Sequence, residues 1–182
     1  MVPSTTNTSL TIHQNTIMPR LQHATELTNL ILNELKNKRI AIKRNNKSLI
    51  GTKAYTEPQI KQLDTEKIVS IAAESLHLLK KSLSQLSRID AIPATIPSMI
   101  PIIRTISSQL YNILPQSSQD LCKLSSLLGS IAIDSASITG AKFDFRQSNY
   151  ESAILLDKVK LIVESKINTL YPNLHSLQLS NT

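Results

Sequence analysis

Apolar side chains recur at Leu27, Ile31, Leu35, Ile42 and Leu49, in steps of four and seven that collect on one helix face. Lys38 and Asn45 fall where this stripe weakens. With Pro19 suited to a first turn, the spacing predicts one helix over about 18–46, fraying toward its end. Asn45-Asn46 and Gly51 mark a turn. "TEPQ", residues 56–59, then has the form of a capping box, with Thr56 as N-cap, Gln59 three residues on and Pro58 in the first turn. Beyond it Ala72, Leu76, Leu79, Leu83 and Leu86 alternate steps of four and three, the pattern of coiled-coil packing, and predict a second helix to about Asp90. Two long helices joined by a short turn predict an antiparallel hairpin over 18–90. Leu27, Ile31 and Leu35 would pack there against the stripe from Ala72 to Leu86.

The pattern then changes. "AIPATIPSMIPIIRTISSQLYNILP", residues 91–115, is nearly all apolar and carries prolines at 93, 97, 101 and 115. The residue before a proline is pushed toward extended geometry, so 91–98 is expected to be a hinge formed by Pro93, Pro97 and Pro101 rather than a helix. Pro101 would open a helix with Ile103, Ile106, Leu110 and Ile113 on one face, stopped by Pro115. Ser117 and Asp120 would cap the next, which buries Leu121, Leu124, Leu128 and Ile131 and closes at Gly140. These two distal helices fill 99–140, and 141–147 reads as a linker. "SNYE", residues 148–151, has capping-box form and opens a detached final helix over 148–172. Its face would run along Leu155, Val159, Ile162 or Val163, Ile167 and Leu170 to the stop at Pro172. Residues 1–17 read as a flexible Ser/Thr/Asn-rich lead and 173–182 as a tail. The fold class expected is all-α.

Composition supports that class. Leu, Ile and Ala dominate the apolar content, aromatics are 3% and only three glycines occur, too few for a turn-rich β fold. The longest uncharged apolar run, residues 91–103, falls short of the roughly 20 residues a membrane span needs, so no crossing of a bilayer is expected. The first twenty residues lack the basic-then-apolar layout of a signal peptide. Cys122 is the single cysteine; it excludes an internal disulfide, points to a reducing compartment, and is expected as core filler. His13, His23, His77 and His175 lack metal-ligand spacing, and no Gly-rich phosphate loop or paired-carboxylate motif occurs. Neither metal, cofactor nor catalytic residues are expected, and the chain is read as a non-enzyme.

Charge is the one concentrated feature. Net charge is +7, and "KNKRIAIKRNNKSLIGTK", residues 36–53, holds seven basic groups and no acid: Lys36, Lys38, Arg39, Lys43, Arg44, Lys47 and Lys53. Lys36, Arg39, Lys43 and Lys47 follow one another by three, four and four, a stripe beside the Leu35–Ile42 seam. An anionic membrane surface fits such a stripe, at about 1 kcal/mol per charge. Phosphates of a nucleic acid fit it too. No aromatic or Asn/Gln base reader is interleaved, which disfavours nucleic acid and leaves a helical nucleic-acid-associated or adaptor protein as the alternative.

"MIPIIRTISSQLYNILPQSSQDLCKLSSLLGSIAIDSASITG" followed by "SNYESAILLDKVKLIVESKINTLYPNL" resembles the ESCRT-III-like cell-division proteins of archaea, the CdvB family. The shared landmarks are Leu114-Pro115, the leucines 121, 124 and 128, Thr139-Gly140 and Tyr171-Pro172. The upstream "AAESLHLLKKSLSQLSRID" is similar to that family's second hairpin helix. The resemblance covers about residues 20–174, most specifically 99–172. It implies a subunit that polymerises through its hairpin, with itself and with paralogous ESCRT-III-like subunits, and constricts membrane during archaeal cell division. Its basic first helix would face lipid on the inner, cytoplasmic side of the cell membrane at the division site. "NLHSLQLSNT" departs from the family's proline-rich docking tail, and no winged-helix-type segment is expected. The match is therefore to the short paralogues, for which contact with the disassembling AAA ATPase is expected to be indirect.

Overall fold

The computed structural model describes residues 13–86 and 88–174. Among them every regular element is helical: α1 (Met18–Asn46), α2 (Glu57–Ser84), α3 (Ile92–Leu110), α4 (Pro115–Thr139) and α5 (Phe145–Leu170). A π-helical turn, His13–Ile17, leads into α1 and buries Ile17, so the end of the expected flexible lead is ordered helix. Residues 1–12 of that lead and 175–182 of the tail lie outside the described residues.

α1 and α2 form the antiparallel hairpin. Met18 and Leu83 line one groove at one end, and Asn46 Nδ2 donates to the Gln62 carbonyl at 3.4 Å at the other. The start of α2 is held by the capping box: Thr56 Oγ1 accepts from the Gln59 amide, and Gln59 Oε1 accepts from the Thr56 amide at 2.9 Å. Ile31, Leu35, Ala72, Leu76, Leu79, Leu83 and Leu86 are buried, with Leu27 half-buried, and Leu79 lines a groove with Met99 and Ile102 of α3 and Leu155 of α5. α2 stops at Ser84, short of the expected Asp90. Its last turn tightens to i−3 bonds, with the amides of Gln85 and Leu86 donating to Ser82 and Leu83, and Ser84 Oγ competing for the Lys81 carbonyl. Leu86 is buried outside the helix.

The largest correction falls at the prolines. The segment expected as a hinge, 91–98, is the 3-10 turn Ile89–Ala91 running into α3, which continues unbroken past Pro97 and Pro101. Pro93 sits in the first turn, where the missing amide has no intrahelical partner to lose. Pro97 and Pro101 each remove one bond, but the spacing of four that reads as breakage also puts all three rings on one face. Pro93 and Pro97 are buried with Ile92, Ile96, Met99, Ile103 and Ile106. Packing of this face overrides the local cost of about 3 kcal/mol per interior proline. Thr105 Oγ1 caps the Pro101 carbonyl at 2.9 Å.

Two predicted starts also move. Pro115 opens α4 rather than ending α3, which stops at Leu110, and no side chain caps α4. Ser117 instead donates to Glu34 of α1, and Asp120 accepts from Gln116 Nε2 at 3.1 Å. α5 starts at Phe145, inside the expected linker, because Asp144 accepts the amides of Arg146 and Gln147. At the far end of α4, Gly140 takes φ +71° and closes the helix as expected.

α3 is the centre of the structure. It packs along α4 and against α2 and α5, while α4 also lies on α1. Ser107 and Ser118 exchange hydroxyl-to-carbonyl bonds at 2.8 and 2.7 Å, small side chains that let α3 and α4 approach closely. Arg20 of α1 pairs with Asp134 of α4 at 2.8 Å. α5 is not detached: it buries Ser152, Leu156, Val159, Val163 and Ile167 on α2 and α3, leaving Leu155 half-buried and Ile162 and Leu170 exposed. Cys122 is exposed rather than core filler. With the prolines inside a helix, Ile89–Leu110 and Pro115–Thr139 are both long and apolar enough to cross a membrane by length and composition. Here their apolar faces are turned to each other and to the neighbouring helices.

Candidate functional site: a basic helix edge and the cleft beside it

The seven cations of residues 36–53 do not share one face. Lys36, Lys43, Arg44, Lys47 and Lys53 are exposed; Lys38 and Arg39 are half-buried. At about 100° per residue, Lys36, Lys43 and Lys47 line one edge of α1 and the 3-10 turn after it, and Arg44 sits beside them. Lys38 falls roughly 160° from that edge on the same reckoning, and Lys53 lies in the turn before α2. Arg39, the second position of the expected stripe, turns to α2 and pairs with Glu74 at 3.4 Å. Among the described residues no acid pairs with Lys36, Lys43, Arg44 or Lys47. Ile40 is exposed between Lys36 and Lys43, and these three, with Leu32, Ala73 and His77, line a shallow groove of about 260 Å³.

Beside this edge α1, α2 and α5 enclose a cleft of about 380 Å³, lined by Arg39, Lys43, Glu66, Glu74 and Lys166 among others. Glu66 is 2% exposed; its Oε1 accepts from the Tyr171 hydroxyl at 3.5 Å, and its Oε2 has no partner among the described residues. Burial pushes the Glu66 carboxyl up from its ordinary range, against the Tyr171 hydrogen bond and the charges of Lys43 and Arg39. The same burial, with Glu66 beside it, pushes the Tyr171 phenol up to about 12. Tyr171 packs edge-to-face on Tyr55 at 6.5 Å, and Asn173 Nδ2 donates to the Thr52 carbonyl at 3.1 Å, so the end of α5 is sealed onto the hairpin turn.

Sequence reasoning missed Glu66 and met Tyr171 only as a landmark beside Pro172. The signal was present: Glu66 lies three residues after Leu63 and three before Val69, on the buried stripe of α2. No group of three metal-ligating side chains occurs among the described residues. What the surface offers chemically is fixed positive charge with an apolar side chain set among it, an arrangement suited to an anionic surface. No family model and no solved structure matches this chain.

Proposed function

We propose that this protein is a filament-forming subunit of the ESCRT-III-like class that binds and remodels membrane in archaeal cell division. The edge formed by Lys36, Lys43, Arg44 and Lys47 rests on anionic lipid. The observation that carries the lipid contact is this unpaired cationic edge on the longest helix, with Ile40 exposed within it. The assembly role and the place at the inner face of the division-site membrane follow from the sequence resemblance, and the all-helical hairpin fold is compatible with both. Membrane work would come from assembly with itself and with paralogous subunits, and disassembly from an ATPase reached through those paralogues.

Co-sedimentation with anionic and neutral liposomes, followed by negative-stain electron microscopy of the pellet, tests this. Binding and filaments or tubules are expected on anionic lipid only. Changing Lys36, Lys43, Arg44 and Lys47 to Ser should weaken binding by roughly a thousandfold, from four charges at about 1 kcal/mol each. Arg39 is left in place because its loss would strand Glu74. Equal binding to neutral lipid, resistance of the bound protein to carbonate extraction, or binding to DNA without binding to lipid would each overturn the proposal.

A further inference from the structure

α5 carries a second apolar stripe that its packing leaves uncovered. Tyr150 is 64%, Ile154 39% and Leu161 66% exposed. On a helix they cluster within about 40° of one another, nearly opposite the buried stripe of Leu156, Val159 and Val163. The occupant is indicated by the charges beside the stripe. Glu151 and Lys158 are exposed, one full heptad apart on the same flank, and lie symmetrically about Ile154-Leu155. Glu151 is held by Gln147 Nε2 at 3.1 Å, and Lys158 has no ion pair among the described residues.

We propose that the outer face of α5 is an antiparallel, two-fold contact between two copies of this chain. A two-fold axis beside Ile154 places Glu151 of each copy against Lys158 of the other, twice, which no parallel arrangement does. The same axis sets Ile154 against its own symmetry mate. Tyr150 and Leu161 then stand about 7 and 10 Å from the axis along the helix, near enough in level to interlock across it. Asp157 interrupts the stripe, and one helix pair lies near or below the about 1,200 Å² typical of stable interfaces, so the dimer forms reversibly with concentration. This contact rests on the self-assembly in the function proposed above, and on none of its lipid chemistry.

Sedimentation equilibrium of the full chain without lipid, from low micromolar to several hundred micromolar, should show monomer passing to dimer. Leu161→Asp should weaken association by about tenfold or more while leaving the circular dichroism spectrum and liposome binding unchanged. Glu151→Lys and Lys158→Glu should each weaken it, and the two together should restore it, a rescue that only mutual pairing gives. Ile154→Cys in a Cys122→Ser background should cross-link to itself with a short bis-maleimide. Monomer throughout, a dimer indifferent to Leu161→Asp, or a charge swap that fails to restore would overturn the contact; lipid binding measured on the same variants keeps that failure separate from failure of the basic edge.

Discussion

Ile106→Ala is expected to lower the free energy of unfolding by about 3 kcal/mol, within the roughly 2–5 kcal/mol of buried aliphatic-to-alanine changes, in one cooperative transition. Ile106 is fully buried on α3, the helix that touches α2, α4 and α5, so the space left cannot be filled by movement toward solvent. Urea unfolding followed by circular dichroism measures it. A distal arm swinging on a proline hinge would give something else: an early transition for 99–140, with the hairpin melting unchanged. Pro101→Ala on the same helix should act in the opposite direction. Pro101 is only half-buried, and alanine there supplies the amide that the Pro97 carbonyl lacks, a gain of up to about 3 kcal/mol less the lost ring contacts. Two transitions, or destabilisation by Pro101→Ala, would return the segment to a hinge.

The two outcomes at α3 show where sequence reading holds and where it fails. Patterns whose meaning is local were legible: the Thr56–Gln59 capping box, the Gly140 cap and the bounds of α1 all depend on interactions within one turn or one stripe. The prolines were misread because their local cost is known from sequence, while the offsetting burial of Pro93 and Pro97 comes from helices far along the chain. Asp144 was overlooked as a cap although its role is local: "SNYE" has the same form as "TEPQ" and placed the start at 148, while Asp144 accepts the amides of Arg146 and Gln147 and opens the helix earlier. The basic run was legible as charge but not as a surface. Heptad-like spacing put Arg39 on the stripe, and only the position of Glu74 on the facing helix turns it inward.

The buried Glu66–Tyr171 contact should weaken the fold at neutral and alkaline pH. Glu66 is taken out of water with one long hydrogen bond and one bare oxygen, so its carboxyl is held above the ordinary range chiefly by burial. A carboxyl with a folded-state pKa above its unfolded value of 4.5 contributes stability that is fully present below 4.5. That contribution is lost as pH rises through the folded-state value. Replacing Glu66→Leu together with Tyr171→Phe removes the charge and the hydroxyl that would otherwise be stranded. It should raise stability by about 1–4 kcal/mol at pH 8, as when other buried polar contacts are replaced by apolar ones. The advantage over the natural chain should shrink toward pH 4.5. Tyr171→Phe alone should cost about 1–3 kcal/mol at pH 8, because it leaves the Glu66 carboxylate buried without a donor. At the alkaline end, the buried phenol holds its contribution up to about its unfolded value of 10 and loses it toward 12, so the natural chain should lose stability above pH 10 by an amount that both Phe variants are spared. Urea titrations of the three proteins between pH 4.5 and 11 separate these terms. A double variant less stable than the natural chain at pH 8 would mean that Lys43 and Arg39 hold Glu66 as a satisfied carboxylate. The cleft would then be a structural ion cluster that supports the end of α5 against the hairpin.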